Sequence, residues 1–460
     1  MGDGPSPEWD AHPANPYSWP SRKKWSVMST ALVVTFVVGL NATSITTASD
    51  ELSADFHLGA DSSIEYNFFA VTAWNAAAAA VPLATLPLMD TYGVRLGYLT
   101  CHVLFTIFLA PQALAPNFAT LVACRAVAGA AGGTLQNAAD GIAANLFPHS
   151  RDRTLPLTLY VFSLVFGVTM GPVLGAVVEP LTWRWIFWIQ LILCGALTPA
   201  VFLFLKETRG SVLYPLYFPS SDAASAESSP PTTTTTTTKA ALAELRTATT
   251  RSFLLLTTEL TVALFTLWSS FAFGLVFLSS QSIPLVFLSA FSWPAYRSGL
   301  VQAALGLGQV LGLAACLLQC RAYARAPAPE TILHLAVPAT PIALAGGLFA
   351  YGWSVHQPHW IVAAVGLALV GFASMVVVNS ASIYVTDAYP AFAASAIAAV
   401  AFGENMFAAF LPLATKPMYE RLGYDWASSL LGFVGLALTF APLLLLFNGK
   451  KIRSKSTFNQ

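Results

Sequence analysis

The chain has 460 residues, of which 56% are apolar and only 10% charged, against roughly 25% charged in soluble domains. Its formal net charge is zero. A soluble fold of this length would need far more surface charge, so the composition excludes one and points to a surface that faces lipid.

Residues 1–25 are polar and proline-rich, with no early apolar core or small-residue cleavage site, so a cytoplasmic tail rather than a cleaved signal peptide is expected. Twelve apolar stretches follow, near 26–47, 66–88, 97–115, 118–142, 155–178, 185–205, 254–279, 298–319, 334–353, 359–384, 392–414 and 426–447. A helix needs about 20 apolar residues to cross roughly 30 Å of hydrocarbon. The expected fold is therefore an all-α polytopic membrane protein with twelve transmembrane helices. Arg22, Lys23, Lys24, Arg95, Arg151, Arg153, Lys206, Arg209, Lys239, Arg246, Arg251, Arg321, Arg325, Lys450, Lys451, Arg453 and Lys455 fall on one side. Arg184, Arg297, Lys416 and Arg421 fall on the other, which places both termini in the cytoplasm.

Residues 206–252 form the longest loop and include the threonine run 232–238, a composition that cannot bury enough apolar surface to fold alone. Read as a flexible cytoplasmic linker, it separates a six-helix bundle at 26–205 from a second at 253–447, followed by a tail at 448–460. Two such halves suggest alternating access about a site at mid-membrane. A channel or a membrane-embedded enzyme could also have twelve spans.

Polar groups inside apolar helices are where function is to be sought. The turn PLMDTYGVRLGY (87–98) follows span 2; its tightness calls for Gly93, and Asp90 at a helix end can face a helix N-terminus or a nearby Arg. Otherwise its charges only set topology. Arg125 in span 4 either marks function or snorkels to the outer interface, about eight residues from the span's start. In span 5, Gly167, Gly171 and Gly175 fall on one helix stripe that admits a neighbouring backbone, and Pro172 bends the helix. Gly308 and Gly312 in span 8 are expected to offer the matching face across the two halves.

Asp140 in span 4 and Glu404 in span 11 are acids in otherwise apolar helices. A carboxyl group held in low dielectric can pick up and release protons near neutral pH. Asp140 could equally meet water at the end of its span, and Glu259 in span 7 could be structural. Asn41, Trp74, Asn75, Gln136, Asn137, Trp268, Gln281, Asn379 and Asn405 could line a mixed polar and aromatic chamber, or bond helix to helix. Trp183, Trp185 and Trp353 are expected in interfacial belts. The five cysteines read as buried free thiols without metal-ligand spacing.

These motifs carry a family resemblance. The turn at 87–98 resembles the loop motif of the major facilitator superfamily, G-x-L-x-D-R-x-G-R-R, in Asp90, Gly93 and Arg95, departing at Leu86, Thr91 and Val94. Arg125 with Gly129 fits its R-x-x-x-G element, and GVTMGPVLG (167–175) is similar to the G-x-x-x-G-P-x-x-G motif of drug:proton antiporters. With WRWIFWI (183–189), KET (206–208), YVTDAYP (384–390) and MYERLGYDWASSLL (418–431), the chain resembles fungal twelve-span antiporters from about residue 16 to 453. The resemblance implies the major facilitator fold, a gating role for the loop and glycine motifs, a link between Arg125 and proton movement, and export. Glu259 matches a family acid; Asp140 and Glu404 stand where relatives usually carry glycine and often arginine.

The expectation is a proton-coupled exporter of a small organic molecule in the plasma membrane. An importer or facilitator of an organic acid or polyamine is the alternative, and a membrane-embedded enzyme or sensor a more distant one. No H-E-x-x-H, G-x-S-x-G, or glycine-rich phosphate loop with Lys occurs. Small-molecule substrate, protons and lipid are the expected partners, with no nucleic acid, metal or cofactor, and a monomer is expected.

Overall fold

The computed structural model describes residues 9, 12–58, 69–178, 180–218, 247, 249–325, 328–357 and 359–454. Most of the expected linker, including the threonine run 232–238, Lys239 and Arg246, lies outside the described residues, as do Lys455 and most of the first eleven positions.

The described chain is helical throughout, with no strand. The membrane-length helices are α1 (Ser21–Asp55), α2 (Phe69–Ala80 and Pro82–Tyr92), α3 (Val94–Ala113), α4 (Phe118–Leu146), α5 (Ser150–Val178) and α6 (Arg184–Phe204). After the central segment come α7 (Leu260–Phe291), α8 (Arg297–Arg325), α9 (Pro329–His356), α10 (Ile361–Ala388), α11 (Ala393–Leu422) and α12 (Tyr424–Gly449). The two parts of α2 meet at an angle of 42° just before Pro82, whose ring cannot continue the helical ladder.

Several helices outrun the apolar stretches that announced them. The 32 residues of α7 span about 48 Å at 1.5 Å per residue, well beyond the hydrocarbon. Their ends are set by local chemistry. Gly93, at φ 104°, turns the chain from α2 into α3, and Gly423, at φ 82°, turns it from α11 into α12. Asn117 caps α4 by accepting from Thr120 N at 2.8 Å.

The ends of the expected flexible linker are structured, a correction to that reading. Glu207 accepts from the backbone N of Val94 (3.1 Å) and Arg95 (3.0 Å), so an acid from the loop after α6 caps α3. A short helix, Gly210–Tyr217, follows, and its Tyr214 packs edge-on against Trp9 at 5.5 Å.

Helices α1–α6 and α7–α12 form two halves. Lys24 lies 5.5 Å over the ring of Phe147, Arg153 is 3.4 Å from Asp387, and Arg453 is 2.6 Å from Glu330. These contacts gather the start of α1 and the end of α12 at one end of the bundle, called here the termini end.

The glycine stripe of α5 packs within its own half. A Cβ at Gly167, Gly171 or Gly175 would stand 2.5 Å from Phe36 O, 2.9 Å from Leu40 O or 2.5 Å from Ser44 O, all on α1. Gly308 and Gly312 meet Ala368 and Phe372 of α10, not α5. The expected cross-half face is supplied instead by Gly299 and Gly306, which meet Ala176 and Met170 of α5. On a helix, Gly299 and Gly306 lie seven residues apart on one stripe, and Gly308 and Gly312 point elsewhere.

Candidate functional site

The two halves meet along α5 with α8 and α2 with α11. Gln309 on α8 donates to Thr169 Oγ1 of α5 at 2.6 Å. At the far end Thr72 on α2 donates to Ala409 O of α11 at 2.9 Å. Towards the termini end α2 and α11 diverge, leaving a cavity of about 450 Å³ between Leu83 and Leu86 on one side and Ser395 and Ala398 on the other. A second cavity of about 110 Å³ leads inward past Asp90, Asn137, Asp140 and Arg153. A third, about 20 Å³, is lined by Asn137, Tyr160 and Glu404. Asn137 and Ile397 border both inner cavities, which sets the two side by side along a line from the mouth toward Glu404, called here the path.

Helical spacing explains this convergence. Asn137 and Asp140 are three residues apart on α4 and share a face; Ile397, Ala401 and Glu404 share one on α11. Asp140 and Glu404 are each 6% exposed and close enough to interact electrostatically, with Tyr160 in reach of both. Glu404 accepts a hydrogen bond from Ser269 of α7. Asp140 makes no hydrogen bond with any described residue; it is buried rather than lying at a wet helix end.

At the mouth, Arg209 lies 3.4 Å from Asp90, so Asp90 meets an arginine, while the acid at a helix N-terminus is Glu207. Arg153 of α5 and Tyr323 of α8 both bind Asp387 of α10. Arg153 was counted only as a topology charge and Asp387 only as part of YVTDAYP; neither position signals by itself that the two helices cross.

Comparison with known proteins decides the family. The profile of the Major Facilitator Superfamily matches residues 31–340. The chain belongs to the Major Facilitator Superfamily. It is 29% identical to the efflux pump radE of Floropilus chiversii over 98% of this chain and 85% of that protein. It is 30% identical to the trichosetin biosynthesis cluster transporter of Gibberella fujikuroi over 99% of this chain and 91% of that one. Among solved structures, the xylose transporter XylE from E. coli, in a partially occluded inward-open conformation, aligns with TM-score 0.67 at 15% identity, covering 92% of this chain and 97% of XylE. That likeness speaks for the fold alone. The protein is thus a multi-pass membrane transporter of the facilitator superfamily.

In this facilitator chain Arg125 is fully buried and does not snorkel. Its guanidinium donates to Asn41 O (2.6 Å), Ala42 O (2.7 Å) and Ala70 O (3.2 Å). The α-helix of α1 tightens to a 3-10 turn at Ser44–Ala48, and the carbonyls taken are those just before that change. Asn41 also accepts from Trp74 Nε1 at 2.9 Å and donates to Gln190 at 2.7 Å, and Gln190 donates to Ser44 at 2.8 Å. Asn41, Trp74 and Arg125 therefore belong to an interior network tying α1, α2, α4 and α6. Gln190 went unnoticed, though a lone amide in the apolar run of α6 was a usable signal.

Of the other candidates, only Asn137 lines the inner path. Asn75 donates to Val71 O and Asn405 to Ala401 O, each within its own helix. Trp268 donates to Thr340 of α9 at 3.3 Å, where α9 loosens into a π-turn, Thr340–Ala345. Gln136, Gln281 and Asn379 are buried, and each keeps at least one amide atom without a hydrogen bond among the described residues. None of these six is among the residues lining the cavities named above. Glu259 accepts from Tyr389 at 2.8 Å and precedes α7, away from the path. Trp183, expected in an interfacial belt, is 1% exposed because Asp55 of α1 accepts from its indole at 2.9 Å; Trp185 and Trp353 are exposed. Among the described residues no three His, Cys, Asp or Glu side chains gather as metal ligands.

Proposed function

We propose that this protein is a proton-coupled antiporter that exports a small organic molecule, such as a secondary metabolite, from the cytoplasm. It acts as a monomer in the plasma membrane, with both termini cytoplasmic. The observation that carries the reading is Glu404: a buried carboxyl on the wall of the path between the halves, whose one hydrogen bond among the described residues comes from a serine. Ionisable groups in such places mark proton and substrate routes. The path opens between α2 and α11 at the termini end and is closed by Thr72 and Ala409 at the far end, the arrangement expected of a transporter waiting to load from the side where its termini lie. Export is favoured by the glycine–proline motif of α5 and by the likeness to a fungal efflux pump and a metabolite-cluster transporter.

In this mechanism a proton reaching Glu404 from the far side and cargo entering from the termini end compete for the same path. Arg125 holds the N-terminal half rigid rather than carrying the proton itself. The test is proton movement in proteoliposomes: an imposed pH gradient should drive cargo uptake into inverted vesicles, and Glu404→Gln should abolish that drive while the protein stays folded. Wild-type pH-gradient-dependent flux in Glu404→Gln would remove Glu404 from the mechanism.

A further inference from the structure

We propose that Tyr160, with a single water held beside it, is the proton relay that joins Glu404 to the wider cavity on the side of the termini. The relay deepens the reading of Glu404 as the coupling acid and rests on it.

The cavities narrow inward, from about 450 to about 110 to about 20 Å³. Drug-sized ligands occupy cavities of roughly 300–1,000 Å³, so in this conformation cargo fits only the outer space. A water needs about 10–15 Å³ and two to four polar partners. The innermost cavity meets both conditions. Around it stand the Tyr160 phenol of α5, the Glu404 carboxyl of α11, the Asn137 amide of α4 and the Ser382 hydroxyl of α10. It admits a water and excludes cargo. Tyr160 faces it because positions 153, 157, 160, 161 and 164 make one face of α5, and all five line the inner cavities.

These groups have hydrogen-bonding capacity left over. Glu404 accepts from Ser269 of α7 through Oε1, which leaves Oε2 for another partner. Asn137 donates its amide N–H to Gly133 O at 2.8 Å and keeps its amide oxygen. Tyr160 is 7% exposed, yet its hydroxyl and that of Ser382 bond to no described residue. A buried hydroxyl without a partner is costly, and one water among the four groups serves them all. The phenol is also in electrostatic reach of Glu404 and Asp140, and Asp140 in reach of Arg153 on the same wall. In the relay the Glu404 O–H bond breaks as the water oxygen takes the proton. That water gives one of its own protons to the Tyr160 oxygen, while the Tyr160 O–H proton passes outward, past Asn137, to water in the next cavity. Tyr160 and the held water end neutral, Glu404 ends as the carboxylate, and the outer water carries the one proton away. Cargo seated in the outer space covers that exit, so proton release and cargo loading exclude each other.

The experiment follows Glu404 itself in the purified full chain in detergent, without cargo. A laser-released acid lowers the pH, and time-resolved infrared absorption records the protonated-carboxyl C=O band that is missing in Glu404→Gln. A relay carries protons both ways, so the rise of this band reports it. Tyr160→Phe keeps the ring and removes the O–H. Because positioned proton carriers are worth about 10²–10⁴ in rate, it should slow the rise by about tenfold or more. The final size of the band should match the wild type, which separates a slowed proton from a damaged fold. Ala401→Val, whose added methyls fill the same cavity, should slow the rise likewise. A wild-type rate in Tyr160→Phe overturns the proposal, and a wild-type rate in Ala401→Val does so where the phenylalanine variant does not fold. A Glu404-dependent band with unchanged rates contradicts the relay and leaves the proton-coupled reading standing. Absence of any Glu404-dependent band in the wild type contradicts that reading, and the relay falls with it.

Discussion

Arg125 shows how a residue can be found in sequence and still be misjudged in its work. Its place in an apolar span marked it as unusual, but apart from the Asn41 side chain its partners are backbone carbonyls on two other helices, and no residue pattern announces a carbonyl. The planar guanidinium reaches Asn41, Ala42 and Ala70 at once; a lysine ammonium is a point charge and cannot. Arg125→Lys should therefore lower thermal stability by at least about 2 kcal/mol through acceptors left unpaired, read as a drop in melting temperature by scanning fluorimetry in detergent. An unchanged melting temperature with lost transport would return Arg125 to a direct role in proton movement. Asp140 and Glu404 were visible as lone acids, but their mutual approach depends on how α4 and α11 face each other, which spacing along either helix leaves open.

Among elements, the helices were legible because their apolar runs match the hydrocarbon thickness. Which helix each face meets was not. The stripe Gly167, Gly171 and Gly175 was correctly a site of close backbone approach, yet it meets α1 rather than the opposite half. Small residues allow contact without naming the partner. Gly171→Val would press against Leu40 O and the start of the 3-10 turn in α1, and should cost about 1–3 kcal/mol, measurable by the same melting assay. The junction of α5 with α10 is a second test. Arg153 and Asp387 join the halves at the termini end while α2 and α11 stand apart there. Separate changes Arg153→Asp and Asp387→Arg should each slow transport by about tenfold or more, and the double exchange should recover much of it; no recovery would mean that the pair does not act as a latch. Arg153 stands out in sequence only as a topology charge and Asp387 only as part of YVTDAYP, and an ion pair between positions 153 and 387 cannot be read from one chain without a map of helix contacts.

At the scale of the whole molecule, two six-helix bodies meet at the far end, while at the end that bears the termini α2 and α11 stand apart and Arg153 and Asp387 still join α5 to α10. Twelve spans, a long central segment and the turn at Gly93 announced this architecture, and the superfamily to which the chain belongs agrees with it. The central claim is that the bodies rock, so that one end closes as the other opens and the acids of the path change sides. Spin-label distances test it most directly, in a variant with the five native cysteines replaced. One pair of labels at Leu83 and Ser395 would span the open mouth, and another at Phe69 and Phe410 the closed far end. As pH is lowered, a population is predicted in which the first distance shortens and the second lengthens together. Distances at both ends that stay fixed across pH would contradict the account.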